Sequence, residues 1–102
     1  MYRAIWFCAA LILALGAQAA GDVEYGEYLS SQCVTCHQKS GADKGIPPIV
    51  GWEEVSFAAV MHSYKSKERE HPVMGMIASG LDNEQIDALA AYFATLESAS
   101  SQ

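Results

Sequence analysis

Apolar side chains recur at helical spacing in three stretches of the chain, and no segment alternates with period two over enough residues to make a strand. The first stretch is Asp22 to Gln32, where Tyr25, Tyr28, Leu29 and Gln32 fall near one face and Asp22, Glu24 and Glu27 favour the N-terminal end. In the second, Glu53 to Ser66, Phe57, Val60, Met61 and Tyr64 stand at i, i+3, i+4 and i+7. The third runs from Asp82 to about Glu97, with Ile86, Leu89, Ala90 and Phe93 in register. Asp82 is placed to cap it and Gln85 to answer three residues on. The pattern predicts an all-α fold of three to four short helices. Between the first two helices, Gln38 to Gly51 holds Gly41, Gly45, Pro47, Pro48 and Gly51, a loop that wraps around something. Lys65 to Pro72 reads as a solvated connection, because Lys65, Lys67 and Arg69 alternate with Glu68 and Glu70. A short apolar turn, Val73 to Ala78, follows and is stopped by Gly80.

The beginning of the chain has a different pattern. Arg3 precedes an unbroken apolar run, Ala4 to Leu15, and then come Gly16 and the small residues Ala17-Gln18-Ala19-Ala20. This is the form of a secretory signal peptide, since the run is too short for a bilayer-spanning helix, which needs about 20 apolar residues. The expected organisation is a signal peptide over 1–19, cleaved there or at 20. Residues 20–102 then form a single domain with a frayed tail at 98–102, exported to the periplasm without a membrane anchor. Over the whole chain, 51% of the 102 residues are apolar and 18% charged, which excludes a disordered segment. A formal charge of -6 without a basic run excludes a nucleic-acid interface. Glu53, Glu54, Asp82, Glu84 and Asp87 either steer a basic partner or serve solubility, and solubility is the expectation.

Loss of Cys8 with the signal peptide leaves Cys33 and Cys36 as the only thiols. A domain of this size has little apolar core of its own, and a disulfide closing so short a loop removes little unfolded-state entropy. Something else should fill the core. Cys33-Val34-Thr35-Cys36-His37 is C-x-x-C-H, the spacing of covalent haem attachment. Two residues between the cysteines let one turn present both sulfurs to the vinyl groups of a porphyrin, and the next residue aims its imidazole at the iron. Burying a few hundred Å² of porphyrin, at about 25 cal/mol per Å², contributes on the order of 10 kcal/mol. A thiol-disulfide site and a zinc site completed by His62 and His71 are the alternatives, although a thioredoxin-type site needs a βαβ context that a helical chain lacks.

From Val23 to about Leu96 the sequence resembles a class I cytochrome c. The resemblance is carried by Gly26, the C-x-x-C-H motif, Gly45-Ile46-Pro47-Pro48-Ile49-Val50-Gly51, a methionine turn and the helix containing Tyr92-Phe93. Gln38 departs from the glycine often found after the haem histidine. Ile46-Pro47 with Gly51, Phe57, Met61, Tyr64-Lys65 and Arg69, followed by Val73-Met74-Gly75-Met76-Ile77-Ala78-Ser79-Gly80, is similar to the haem subunit of flavocytochrome c sulfide dehydrogenase. The resemblance implies one covalent haem c on Cys33 and Cys36, with His37 as proximal iron ligand. It implies Met74 as sixth ligand, three residues before an Ile-Ala pair, with Met76 the alternative, and a bond from His37 to the carbonyl of Pro47, a residue that is equally a turn former. Trp52 is a candidate donor to a haem propionate and equally a packing residue, while Met61 belongs to the core. The implied activity is single-electron transfer by a carrier that is not itself an enzyme, serving a flavoprotein sulfide dehydrogenase. The chain has no Gly-rich dinucleotide fingerprint, so flavin would reside on a separate polypeptide. A free electron shuttle between a dehydrogenase and an oxidase is the alternative. A haem sensor or peroxidase with an open sixth site is the more distant one.

Overall fold

The computed structural model describes residues 21–97; the expected signal peptide and the tail at 98–102 lie outside them. Among the described residues there are five helices and no strand: α1 (Val23–Leu29), α2 (Ser31–Val34), α3 (Glu54–Lys65), α4 (Pro72–Ser79) and α5 (Asn83–Ala94). The all-α class stands, with two differences from the three or four helices expected. The first helix is broken at Ser30. There Ser30 Oγ donates to the Glu27 carbonyl at 2.6 Å, a local bond that competes with the helical ladder and bends it. The stretch expected as an apolar turn is the two-turn helix α4. Pro72 is tolerated at its first position, where its missing N–H costs no bond, and the His71 imidazole caps it by accepting from Met74 N–H at 3.2 Å.

The last helix is the hub of the fold. Ile86, Leu89, Ala90 and Phe93 are all buried, and α1 and α3 both pack against α5. Its start is a full capping box: Asp82 Oδ1 accepts from Gln85 N–H at 2.8 Å, and Gln85 Oε1 accepts from Asp82 N–H at 2.9 Å. Gln85 also donates to Tyr25 Oη at 3.2 Å, which ties this cap to α1. Replacing Asp82 with alanine is expected to cost about 1 kcal/mol, and a thermal melt of the holoprotein should fall by roughly 4–8 °C. At the other end α5 stops at Ala94, three residues short of the expected Glu97, where Thr95 Oγ1 donates to the Tyr92 carbonyl at 2.6 Å.

The segment between α2 and α3 has neither helix nor strand, as its glycines and prolines predict. It is anchored rather than loose. Gly51, at a φ of 75° that disfavours any side chain, donates its N–H to the Phe93 carbonyl at 2.9 Å. Val50 beside it is buried in the core. Phe57 stacks on Phe93 with ring centroids 5.5 Å apart, and Trp52 meets Phe57 edge-on at 6.3 Å. Loop, α3 and α5 therefore share one aromatic seam, and none of the described helices is long and apolar enough to cross a membrane.

Candidate metal centre

The chain turns once more after α2. The Cys33 carbonyl accepts from Cys36 N–H at 3.1 Å and from His37 N–H at 2.8 Å. Cys33, Cys36 and His37 stand at i, i+3 and i+4 of this turn, so they project from one face of it. Cys33 is buried and Cys36 exposed, and no disulfide joins them. Were Cys33 to remain a thiol, its burial would push it up to about 11, away from the thiolate that a thiol-disulfide enzyme must form.

His37 is oriented by the loop. Its Nδ1 lies 2.7 Å from the Pro47 carbonyl oxygen. A carbonyl only accepts, so Nδ1 is the donor and Nε2 is the nitrogen left to face a metal. Proline suits the position because it fixes the loop where its carbonyl is needed and has no N–H to satisfy.

The two candidate methionines separate by helix face. Met74, Ile77, Ala78 and Leu81 recur at i, i+3, i+4 and i+7, with Ala78 and Leu81 in the core and Met74 and Ile77 packed against it. Met76 faces the other way and is 69% exposed. Met61 is buried among the core residues, and Trp52 packs against the same cluster. One apolar cluster therefore brings together Cys33, Trp52 and Met74, while His37 and Pro47 are joined by their hydrogen bond.

No group of three or more His, Cys, Asp or Glu side chains is placed to hold a metal ion among the described residues. An all-protein zinc cage is not assembled. The donors present, one imidazole with its tautomer fixed and one thioether on a buried helix face, instead fit a metal whose remaining ligands come from a macrocycle. Sequence reasoning missed two supports of this arrangement. The His71 cap on α4 had a signal in its place directly before Pro72. The bond from Lys65 Nζ to the Leu81 carbonyl, which ties α3 to the end of α4, joins residues 16 apart and had none.

The family model for cytochrome c matches residues 23–97, which takes in the C-x-x-C-H turn, the loop and all five helices. The chain belongs to the cytochrome c family. As a cytochrome c it carries covalently bound haem c. It is 35% identical to the cytochrome subunit of sulfide dehydrogenase of Chlorobaculum tepidum over 72 residues, which are 70% of this chain and 66% of that one. The thiosulfate dehydrogenase electron acceptor of Stutzerimonas stutzeri is 34% identical over 94 residues, 81% of this chain and 42% of the relative. Cytochrome c4 of Pseudomonas aeruginosa is 31% identical over 91 residues, 83% of this chain and 45% of the relative. The chain thus spans about two thirds of the first relative and less than half of the other two.

Proposed function

We propose that this cytochrome is the electron-accepting haem subunit of a flavoprotein sulfide dehydrogenase, exported to the periplasm by the signal peptide at 1–19. Cys33 and Cys36 hold the haem through thioethers, and His37 and Met74 ligate its iron. The observation that carries the site assignment is the 2.7 Å bond between His37 Nδ1 and the Pro47 carbonyl, which leaves only Nε2 available to a metal. Bound there, the haem supplies an iron(III)/iron(II) couple that exchanges one electron. The protein does the rest. Met74 would offer a soft thioether that favours the ferrous state. Were His37 and Met74 both to hold the iron, they would leave no position for substrate, and the site would suit electron transfer over oxygen or peroxide chemistry. Trp52, its ring set edge-on against Phe57, has an indole N–H to offer a haem propionate.

The likeness to the Chlorobaculum tepidum subunit supports the sulfide assignment. The likeness to a thiosulfate dehydrogenase electron acceptor favours a second reading, a carrier that serves another dehydrogenase. Gentle purification of the native haem protein separates them. Stoichiometric flavin in the fraction, with rapid haem reduction by added sulfide, is the expected result. A flavin-free protein that sulfide reduces only slowly overturns the subunit assignment and leaves the shuttle.

A further inference from the structure

The helix that carries Met74 is short, and few parts of the fold hold it. Its eight residues are too few to persist as a helix in water on propensity alone, since isolated helices shorter than about 12–15 residues are marginal. Among the described helices only α3 packs against α4, and the last two residues of α3 reach its two ends. At the first end the Tyr64 ring meets the capping imidazole of His71 edge-on, with centroids 6.4 Å apart. At the other end Lys65 Nζ donates to the Leu81 carbonyl. Lys65, expected among the solvated charges, is half-buried. The chain turns away directly after it: Lys67 takes a φ of 69°, and Arg69 N–H returns to the Ser63 carbonyl at 3.0 Å.

Leu81 is buried and stands between α4 and α5, so neither helical ladder uses its carbonyl. Among the described residues no backbone N–H reaches that oxygen, and the ammonium of Lys65 is the donor that satisfies it. The winding of α4 continues up to this point. Gly80 N–H donates to the Ile77 carbonyl at 3.2 Å and Leu81 N–H to the Ala78 carbonyl at 3.1 Å. Leu81 therefore lies on the Met74 face, two turns further on and about 10 Å along the axis. A helix fixed there is not free to slide or roll. A roll by one residue is about 100°, enough to carry Met74 off the buried face.

We propose that Lys65 is a positioning residue for electron transfer: through the Leu81 carbonyl its ammonium sets the roll and axial placement of α4, and so keeps the Met74 thioether directed at the haem site. The bond is charge-assisted, and it lies at the carbonyl end of α4, where the helix dipole also favours a cation. Because the acceptor is buried, losing the donor leaves it unsatisfied, which makes the tie a firmer constraint than an exposed ion pair. The inference rests on Met74 being the sixth ligand, and does not depend on which redox partner the cytochrome serves.

The test uses the intact holoprotein, isotope-labelled, and three variants. Lys65→Leu keeps an apolar stem and removes the donor, while Lys65→Arg keeps a cationic donor. Lys67→Asn removes a neighbouring exposed charge with a residue that tolerates a positive φ. In Lys65→Leu, amide exchange across Val73–Ser79 is expected to rise at least about tenfold relative to Ile86–Phe93, and carbon monoxide to bind the reduced protein at least about tenfold faster. The reduction potential should fall in the same variant. Lys65→Arg should restore all three to near their native values, and Lys67→Asn should leave them unchanged. Three results would overturn the proposal: native behaviour in Lys65→Leu, equal acceleration of exchange in α4 and α5, or the same losses in Lys65→Arg as in Lys65→Leu. If the leucine variant does not fold, scalar coupling across the hydrogen bond from Lys65 Nζ to the Leu81 carbonyl carbon of the native protein decides the question, and its absence overturns the proposal. Amide exchange in α4 is read without reference to the iron, so failure of the Lys65 tie is distinct from failure of the Met74 assignment, which the Met74→Leu spectrum reports.

Discussion

Met74→Leu is expected to abolish the sulfur-to-ferric-iron absorption band and lower the reduction potential, while Met76→Leu leaves both unchanged. The contrast follows from the two faces of α4. Met74 shares the buried face with Ile77, Ala78 and Leu81, whereas the Met76 side chain is exposed. Leucine matches methionine closely in volume, so the packing of α4 should change by less than about 1.5 kcal/mol, and the spectrum reports the lost sulfur rather than a collapsed helix. Axial ligands span roughly 0.8 V of haem potential, and removal of a thioether that favours ferrous iron should consume a sizeable part of that range. It should also open a coordination position, detectable as carbon monoxide binding to the reduced variant. A band that survives in Met74→Leu and disappears in Met76→Leu would reverse the assignment.

Gly26→Ala is expected to destabilise the protein by about 3 kcal/mol or more, against the direction of helix propensity, which favours alanine by about 1 kcal/mol. Gly26 is buried and its φ is ordinary, so space rather than backbone freedom demands glycine. A Cβ there would lie 2.0 Å from the Ala88 carbonyl oxygen and 2.7 Å from Tyr92 Cβ, both fixed parts of α5. Gly21 meets the same helix, with a Cβ 2.0 Å from the Asp87 carbonyl oxygen. Alanine at 26 must push α1 off α5, and against a total stability of about 5–15 kcal/mol the loss is severe. Denaturant unfolding of the holoprotein measures it. Gly75→Ala is the matched comparison: nothing lies within 4 Å of its Cβ, and stability should hold or rise by up to about 1 kcal/mol. Equal effects at the two positions would show that the close approach of α1 to α5 is not what Gly26 provides.

The parts of the fold legible in the sequence were those with local causes. The period of Ile86, Leu89, Ala90 and Phe93, with Asp82 and Gln85 ahead of it, specified α5 and its cap because every contact needed for the start lies within four residues. The α3 face was legible for the same reason, and the C-x-x-C-H spacing carried its chemistry openly. Less legible was α4. Its cap is a histidine rather than Ser, Thr, Asp or Asn, and its sequence from Pro72 to Ser79 has no polar residue until the last to mark an outer face. Once it is seen as a helix, the two methionines separate by face, Met74 packed against the core and Met76 exposed. The break at Ser30 and the folding back of Lys67 to Arg69 depend on single backbone and side-chain bonds that no periodicity announces. The alternating charges there read as solvated, and Ser66 to Pro72 are indeed exposed.

The contact between α1 and α5 joins the first and last helices of the described residues, and Tyr25 and Gln85 bridge it across a separation of 60 positions. The polypeptide between them is thereby held as a ring, closed by packing instead of by a covalent link. Asp43 to Ile46 is the exposed outer arc of that ring. A single protease nick at Lys44 would therefore not divide the molecule. The piece bearing Cys33, Cys36 and His37 and the piece bearing Met74 would stay clasped at the seam, and the cytochrome is built so that it could be reassembled from two complementary fragments.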